Sequence, residues 1–214
     1  MDCFLDFYDD RSYCICMAKK QRIQDTREKI LRQGVDLLSE YGYHGTGLKM
    51  ILDAAQVPKG SFYNYFESKE QFTVEVIRAY NDSLMKQFDR YVEESAQDEL
   101  GTIKSMYHHV LDRSEERECL KGCLLGDLSA EIGGQSRSCE EALRQAFRAW
   151  QNRMVRLIKK GQDSGSIRND LSAEQLAEIF LNHWEGALLR MKVDRDTANA
   201  RQTLDSMLDV LFKN

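Results

Sequence analysis

Two short stretches of the chain gather side chains that can do chemistry. In the first, Lys59-Gly60-Ser61 follows Pro58 directly. A helix starting there presents a cation, a position without bulk and free backbone N–H groups at one end, which is the chemistry of phosphate and groove contact. Gly60 is costly inside a helix. Its missing side chain is explained if a base pair or sugar must come close to the backbone, and the plainer reading is an ordinary helix start. In the second stretch, Lys121-Gly122-Cys123 opens another helix. Free N–H groups and the positive dipole end stabilise a thiolate, and Lys121 adds a neighbouring positive charge, so Cys123 is a candidate nucleophile. Taken alone it also reads as a small buried hydrophobe, since free cysteine is often buried and inert.

The elements that must position the first group are three helices. Helix one is predicted over Thr26–Tyr41, with Ile30, Leu31, Leu37 and Leu38 facing inward and Gly42 ending it. A second runs from about Leu48 to Ala55, with Thr46 or Gly47 at its N-cap and Leu48, Ile51, Leu52 and Ala55 in an i, i+3, i+4, i+7 stripe. Gln56-Val57 breaks it, because Pro58 disfavours the α region at the residue before it while fitting the first turn of a new helix. The third helix is expected over Pro58–Tyr65, completing a helix-turn-helix.

The run Ala55-Gln56-Val57-Pro58-Lys59-Gly60-Ser61-Phe62-Tyr63-Asn64-Tyr65-Phe66, followed by Ser68-Lys69-Glu70 and Phe72, resembles the DNA-binding signature of the TetR family of repressors. The resemblance covers Thr26 to Phe72. It implies an all-α fold: an N-terminal three-helix helix-turn-helix DNA-binding domain plus a C-terminal helical ligand-binding and dimerisation domain. It assigns Thr46, Tyr63, Asn64 and Lys69 to phosphates, and Lys49, Lys59 and Gly60 to the groove. Hydroxyl and ammonium groups suit backbone anchoring, while groups at the start of a recognition helix reach base edges. Phe62 and Phe66, four apart, read as core. Three positions depart from the family pattern: Gln56 stands where Gly is usual, Tyr65 where His is usual, and Gly47 where Ser or Thr is common.

The 214 residues are 42% hydrophobic with a single Pro, enough to bury a sizeable helical core. The net charge of -5 opposes binding to nucleic acid as a total, but it is unevenly spread. Residues 19–72 hold nine Lys or Arg against seven Asp or Glu, a local +2, and it is local charge that phosphates feel, because screening acts within roughly 10 Å. The acidic start, residues 1–18, lacks the basic and apolar regions of a signal peptide. Met17-Ala18-Lys19-Lys20 reads like a fresh N-terminus, so residues 1–18 are expected to be an upstream start or a disordered tail. Residues 19–72 and 73–214 then form the two domains. With no apolar run of membrane length, a soluble, cytoplasmic protein is expected.

Further helices are predicted from Phe72 to about Ala96, then near Leu100–Arg117, Lys121–Ile132, Ser138–Lys160, Ser172–Met191 and Asp196–Leu211. Ser172-Ala173-Glu174-Gln175 has capping-box spacing. The last two carry more apolar surface than one helix pair needs. Burial within the monomer is the plainer reading, but the family resemblance implies a four-helix interface across a two-fold axis, and a dimer is expected, with Leu176, Phe180, Trp184, Leu204 and Leu208 at a homodimer contact.

Six cysteines without a secretion signal indicate reduced thiols. Cys3, Cys14 and Cys16 lie in the doubtful tail. Cys119 and Cys123 are spaced i, i+4, unlike the Cys-x-x-Cys of zinc ribbons, so no metal site and no cofactor is expected. Gly122-Cys123-Leu124, Leu128-Ser129-Ala130-Glu131, Trp184-Glu185-Gly186-Ala187 and Lys192 together resemble the TetR branch that represses N-ethylmaleimide reductase and related electrophile-detoxifying genes. That narrower resemblance implies that Cys123 meets a reactive electrophile or oxidant, with Lys192 as a partner lowering its pKa and Trp184 beside it. Cys119 and Cys139 read as packing residues. His44 reads as a surface turn group and His183 as interfacial or pocket-lining. No set of nucleophile, base and orienting group emerges, so no enzyme is expected. The leading expectation is a repressor that binds a palindromic operator in double-stranded DNA as a dimer and is released by an electrophile or oxidant at Cys123. The alternative is release by a non-covalent apolar inducer lined by Met106, Tyr107, Phe147, Trp150 and Trp184. A third class is a helical enzyme or metal-binding protein.

Overall fold

The computed structural model describes the backbone of residues 10–116 and 121–213, and side chains from residue 24 onward apart from Lys59. Every regular element among these residues is helical: α1 Asp10–Gly45, α2 Leu48–Ala55, a 3-10 turn Lys59–Asn64, α3 Lys69–Glu94, α4 Glu99–Glu116, α5 Leu124–Ile132, α6 Arg137–Ser164, α7 Ala173–Asp194 and α8 Ala198–Met207, which closes in a π turn Leu208–Phe212. None is long and apolar enough to cross a membrane.

Two expectations need correction. Helix α1 begins at Asp10 instead of Thr26, because no Gly or Pro interrupts the residues between. Residues 10–18 of the expected upstream start or tail continue α1; residues 1–9 lie outside the described residues. The helix expected over Pro58–Tyr65 is a shorter 3-10 turn with Pro58 at its N-cap. Its i to i+3 bonds, Ser61 N–H to the Pro58 carbonyl at 2.8 Å and Tyr65 N–H to that of Phe62 at 2.9 Å, suit a six-residue piece containing a glycine.

Local chemistry sets the other ends. Gly42 sits at φ 70°, ψ -179°, a kink that breaks α1 where the sequence places its end. Left-handed Gly165 stops α6. Ser68, Ser136 and Ser172 cap α3, α6 and α7 by accepting from the amides three residues on. Gln175 returns the bond to the Ser172 amide, completing the capping box.

Burial falls into two cores. The head core joins Ile30, Leu38, Ile51, Leu52, Phe62, Phe66 and Phe72 to Val76 and Ile77 of α3, Leu124, Leu125 and Leu128 of α5 and Cys139 to Ala146 of α6. The second core is built by α4, α6, α7 and α8 around Tyr107, Met154, Phe180, Trp184 and Leu204. The head core extends past Phe72: α5 packs with the helix-turn-helix. Cys123, half-buried, packs against both cores.

Candidate nucleic-acid interface and sensor site

The aromatic core under the helix-turn-helix fixes which side chains remain outside. Phe62, Phe66 and Phe72 meet at ring centroid distances of 5.0 to 5.7 Å, and Arg27 lies over Phe66 while pairing with Glu75 of α3. Packing Phe62 and Phe66 inward turns Tyr63 and Asn64 to solvent, and Tyr63 is 67% exposed. Lys49 is exposed on the first turn of α2. Gly60 is exposed too, and a Cβ there would meet nothing within 4 Å, so the protein's own packing does not demand a glycine. The Lys59 side chain lies outside the described residues.

Thr46 and Lys69 are placed differently from expectation. Thr46 is fully buried, its hydroxyl donating to the carbonyls of Gly42 at 2.7 Å and Leu37 at 3.1 Å. That hydroxyl fastens the α1 kink and does not face a phosphate; freed carbonyls at a kink need a donor. Lys69 Nζ donates to the Tyr43 carbonyl at 2.5 Å and lies 4.2 Å from the Tyr43 ring centroid, and burial lowers its pKa. It braces the same kink.

A polar seam joins this kink to α5 and α6. The His44 amide donates to Glu131 Oε2 at 3.1 Å, Lys121 Nζ reaches Glu40 at 3.1 Å, and Ser136 and Ser138 donate to Glu70. Those hydroxyls hold the Glu70 carboxyl below its usual range. An open cleft of about 330 Å³ lies along the seam, lined by Leu38 to Gly42 on one side and Asp127, Ala130, Glu131 and Lys192 on the other.

Cys123 is the N-cap residue of α5, one turn before Asp127. Its surroundings differ from the expected lysine partnership. Lys192 Nζ bonds Asp127 Oδ2 at 2.9 Å, and Lys121 is engaged with Glu40. The charged group facing the thiol is the carboxylate of Glu185, which shares the space over Gly126 with Cys123. Burial, then the Glu185 charge, push the thiol well above its ordinary value, against a weaker pull from the Gly126 and Leu125 amides. Burial likewise raises Glu185. Cys123 at rest is a thiol. Glu185 and Lys192 stand seven residues apart, two turns along one face of α7, so spacing alone cannot tell which one meets the sulfur. Cys139 is buried, as expected of a packing residue; Cys119 lies outside the described residues.

The aromatic residues beyond Cys123 are packed on one another. Tyr107 lies 4.6 Å from both Phe180 and Trp184 between ring centroids, and Trp150 stacks on Phe180 at 5.8 Å. Leu176, Phe180, Leu204 and Leu208 are completely buried in the single chain and Trp184 nearly so. These five residues therefore belong to the core of the single chain. Their stripe is the one that α7 and α8 turn inward. The exposed apolar side chains on this end are Ile179, Leu189, Val193 and Val210. Between them His183 has a buried Nε2 with no hydrogen-bond partner among the described residues, and burial lowers its pKa.

A kinked helix-turn-helix packed on a helical core is the arrangement of a DNA-binding regulator. The amino-terminal part, residues 30–76, matches the model for bacterial regulatory proteins of the tetR family, and residues 100–207 match the tetracyclin repressor-like C-terminal domain. The chain belongs to the TetR family of transcriptional regulators. It is 33% identical to the HTH-type transcriptional repressor DhaR of Mycobacterium sp. (strain GP1) over 187 residues, 87% of this chain and 90% of that one. It is 28% identical to the HTH-type transcriptional repressor NemR of Escherichia coli (strain K12) over 82% of this chain and 88% of that one. The crystal structure of E. coli NemR in its reduced form superposes with a TM-score of 0.81 at 26% identity, covering 88% of this chain and 97% of that one.

Proposed function

We propose that the protein is a repressor that binds a palindromic operator as a homodimer and lets go when an electrophile or oxidant modifies Cys123. The observation that carries this reading is the course of α5. Its N-cap is Cys123, in contact with both cores, and one residue from its other end Glu131 accepts the His44 amide at the α1 kink. An adduct on the half-buried thiol adds volume where packing leaves little room, so α5 must shift, and the Glu131 bond carries that shift to the helix-turn-helix. Release requires that the modified protein prefer the non-binding form; equal preference would switch nothing.

On DNA, Tyr63 and Asn64 contact phosphates while Lys49, Lys59 and Gly60 enter the major groove, and two-fold symmetry sets the recognition turns roughly 34 Å apart. The dimer contact runs along Ile179, His183, Leu189 and Val193 of α7 with Val210. A partner group would also satisfy His183 Nε2. A non-covalent apolar inducer has less support, because the rings that would line its pocket fill the space against each other. Operator release by N-ethylmaleimide, followed by fluorescence anisotropy, tests the proposal: wild type dissociates, whereas Cys123→Ser stays bound. Equal release from the variant would overturn it.

A further inference from the structure

Lys192 is held by Asp127 and Lys121 reaches Glu40, and the carboxylate that faces the sulfur is Glu185 from α7, with the hydroxyls of Tyr80 from α3 and Tyr107 from α4 nearby. A thiol in that setting cannot depend on a standing thiolate. Glu185 has the contact that solves this, and the helix facing it is shaped to allow the contact: a Cβ at Gly126, in the middle of α5, would fall 2.5 Å from Glu185 Oε2. A glycine at a mid-helix position costs stability, and here it gives a carboxylate room beside the sulfur.

Resting on the thiol-sensor reading, we propose that Glu185 is the general base for Cys123 when the thiol adds to an uncharged Michael acceptor such as a maleimide. The Cys123 sulfur forms a bond to the β-carbon as its proton passes to the Glu185 carboxylate. The carbon–carbon π pair moves onto the carbonyl oxygen as an enolate, whose α-carbon then takes the proton back. The product is a neutral thioether with Glu185 restored, and no further reagent is consumed. A base in place makes the thiol reactive only when an acceptor is in reach, while anionic reagents are repelled by Glu185.

Peptide-mapped mass spectrometry of the full-length protein, following N-ethylmaleimide addition at Cys123 against pH, tests this. Glu185→Gln keeps the shape and loses the base, so alkylation at neutral pH slows by roughly 100-fold and becomes steeply dependent on rising pH, with Glu185→Asp in between. If Glu185 merely suppressed thiolate, removing its charge would speed the reaction; a Glu185→Gln rate equal to or above wild type overturns the proposal. Should that variant not fold, Glu185→Asp carries the test, and an undiminished rate overturns it. Wild-type Cys123 that resists alkylation sinks the sensor reading along with this one. Alkylation that depends on Glu185 but leaves the operator bound sinks the sensor reading alone.

Discussion

Gln56 occupies a left-handed conformation, φ 54°, at the C-cap of α2. That is the position where the family pattern has glycine, and a Cβ there costs about 1–2 kcal/mol. Gln56→Gly should therefore raise unfolding free energy by about 1 kcal/mol in denaturant titrations, less whatever the 3.4 Å contact from Lys29 contributes. Thr46 makes a contrasting case. Thr46→Val should destabilise the protein by about 1–3 kcal/mol by leaving buried carbonyls unpaired, without changing the number of phosphates contacted. Lys49→Ala should leave folding unchanged and flatten the salt dependence of operator affinity by about one unit of log–log slope. The exposed residues of the turn were legible from the sequence because their placement follows from local spacing around Phe62 and Phe66. Thr46 and Lys69 were not, since both are claimed by the α1 kink, Thr46 by the Gly42 and Leu37 carbonyls and Lys69 by the Tyr43 carbonyl 26 residues back.

At the scale of elements, α5 is the piece that joins sensor to reader. Gly126→Ala gains about 1 kcal/mol of helix propensity and pushes the flexible Glu185 carboxylate away, so it should leave stability near wild type while slowing alkylation of Cys123 as Glu185→Gln does. Glu131→Gln is predicted to weaken the α5 grip on the His44 amide, with adducts at Cys123 then having a smaller effect on operator affinity; a double-mutant cycle measures that coupling. The helix start marked by Ser172 could be read in advance from its capping-box spacing. The partner of Cys123 could not, because two candidates lie on one face of α7 and only the crossing of α5 and α7 selects Glu185.

Across the whole molecule, the same ambiguity explains the dimer surface. Apolar side chains at helical spacing serve a monomer core or a subunit contact equally well, and the Leu176-Phe180-Trp184 stripe proves to be core. Leu176→Ala should cost about 2–5 kcal/mol of stability, whereas Val193→Glu should leave the monomer folded and abolish dimers in sedimentation, taking operator binding with it. The account stands most directly on one comparison: operator affinity, by fluorescence anisotropy, of protein carrying a single maleimide adduct at Cys123 against unmodified protein. It predicts weakening of about 5- to 150-fold, the span of ordinary allosteric coupling. Equal affinity with the adduct in place would contradict it.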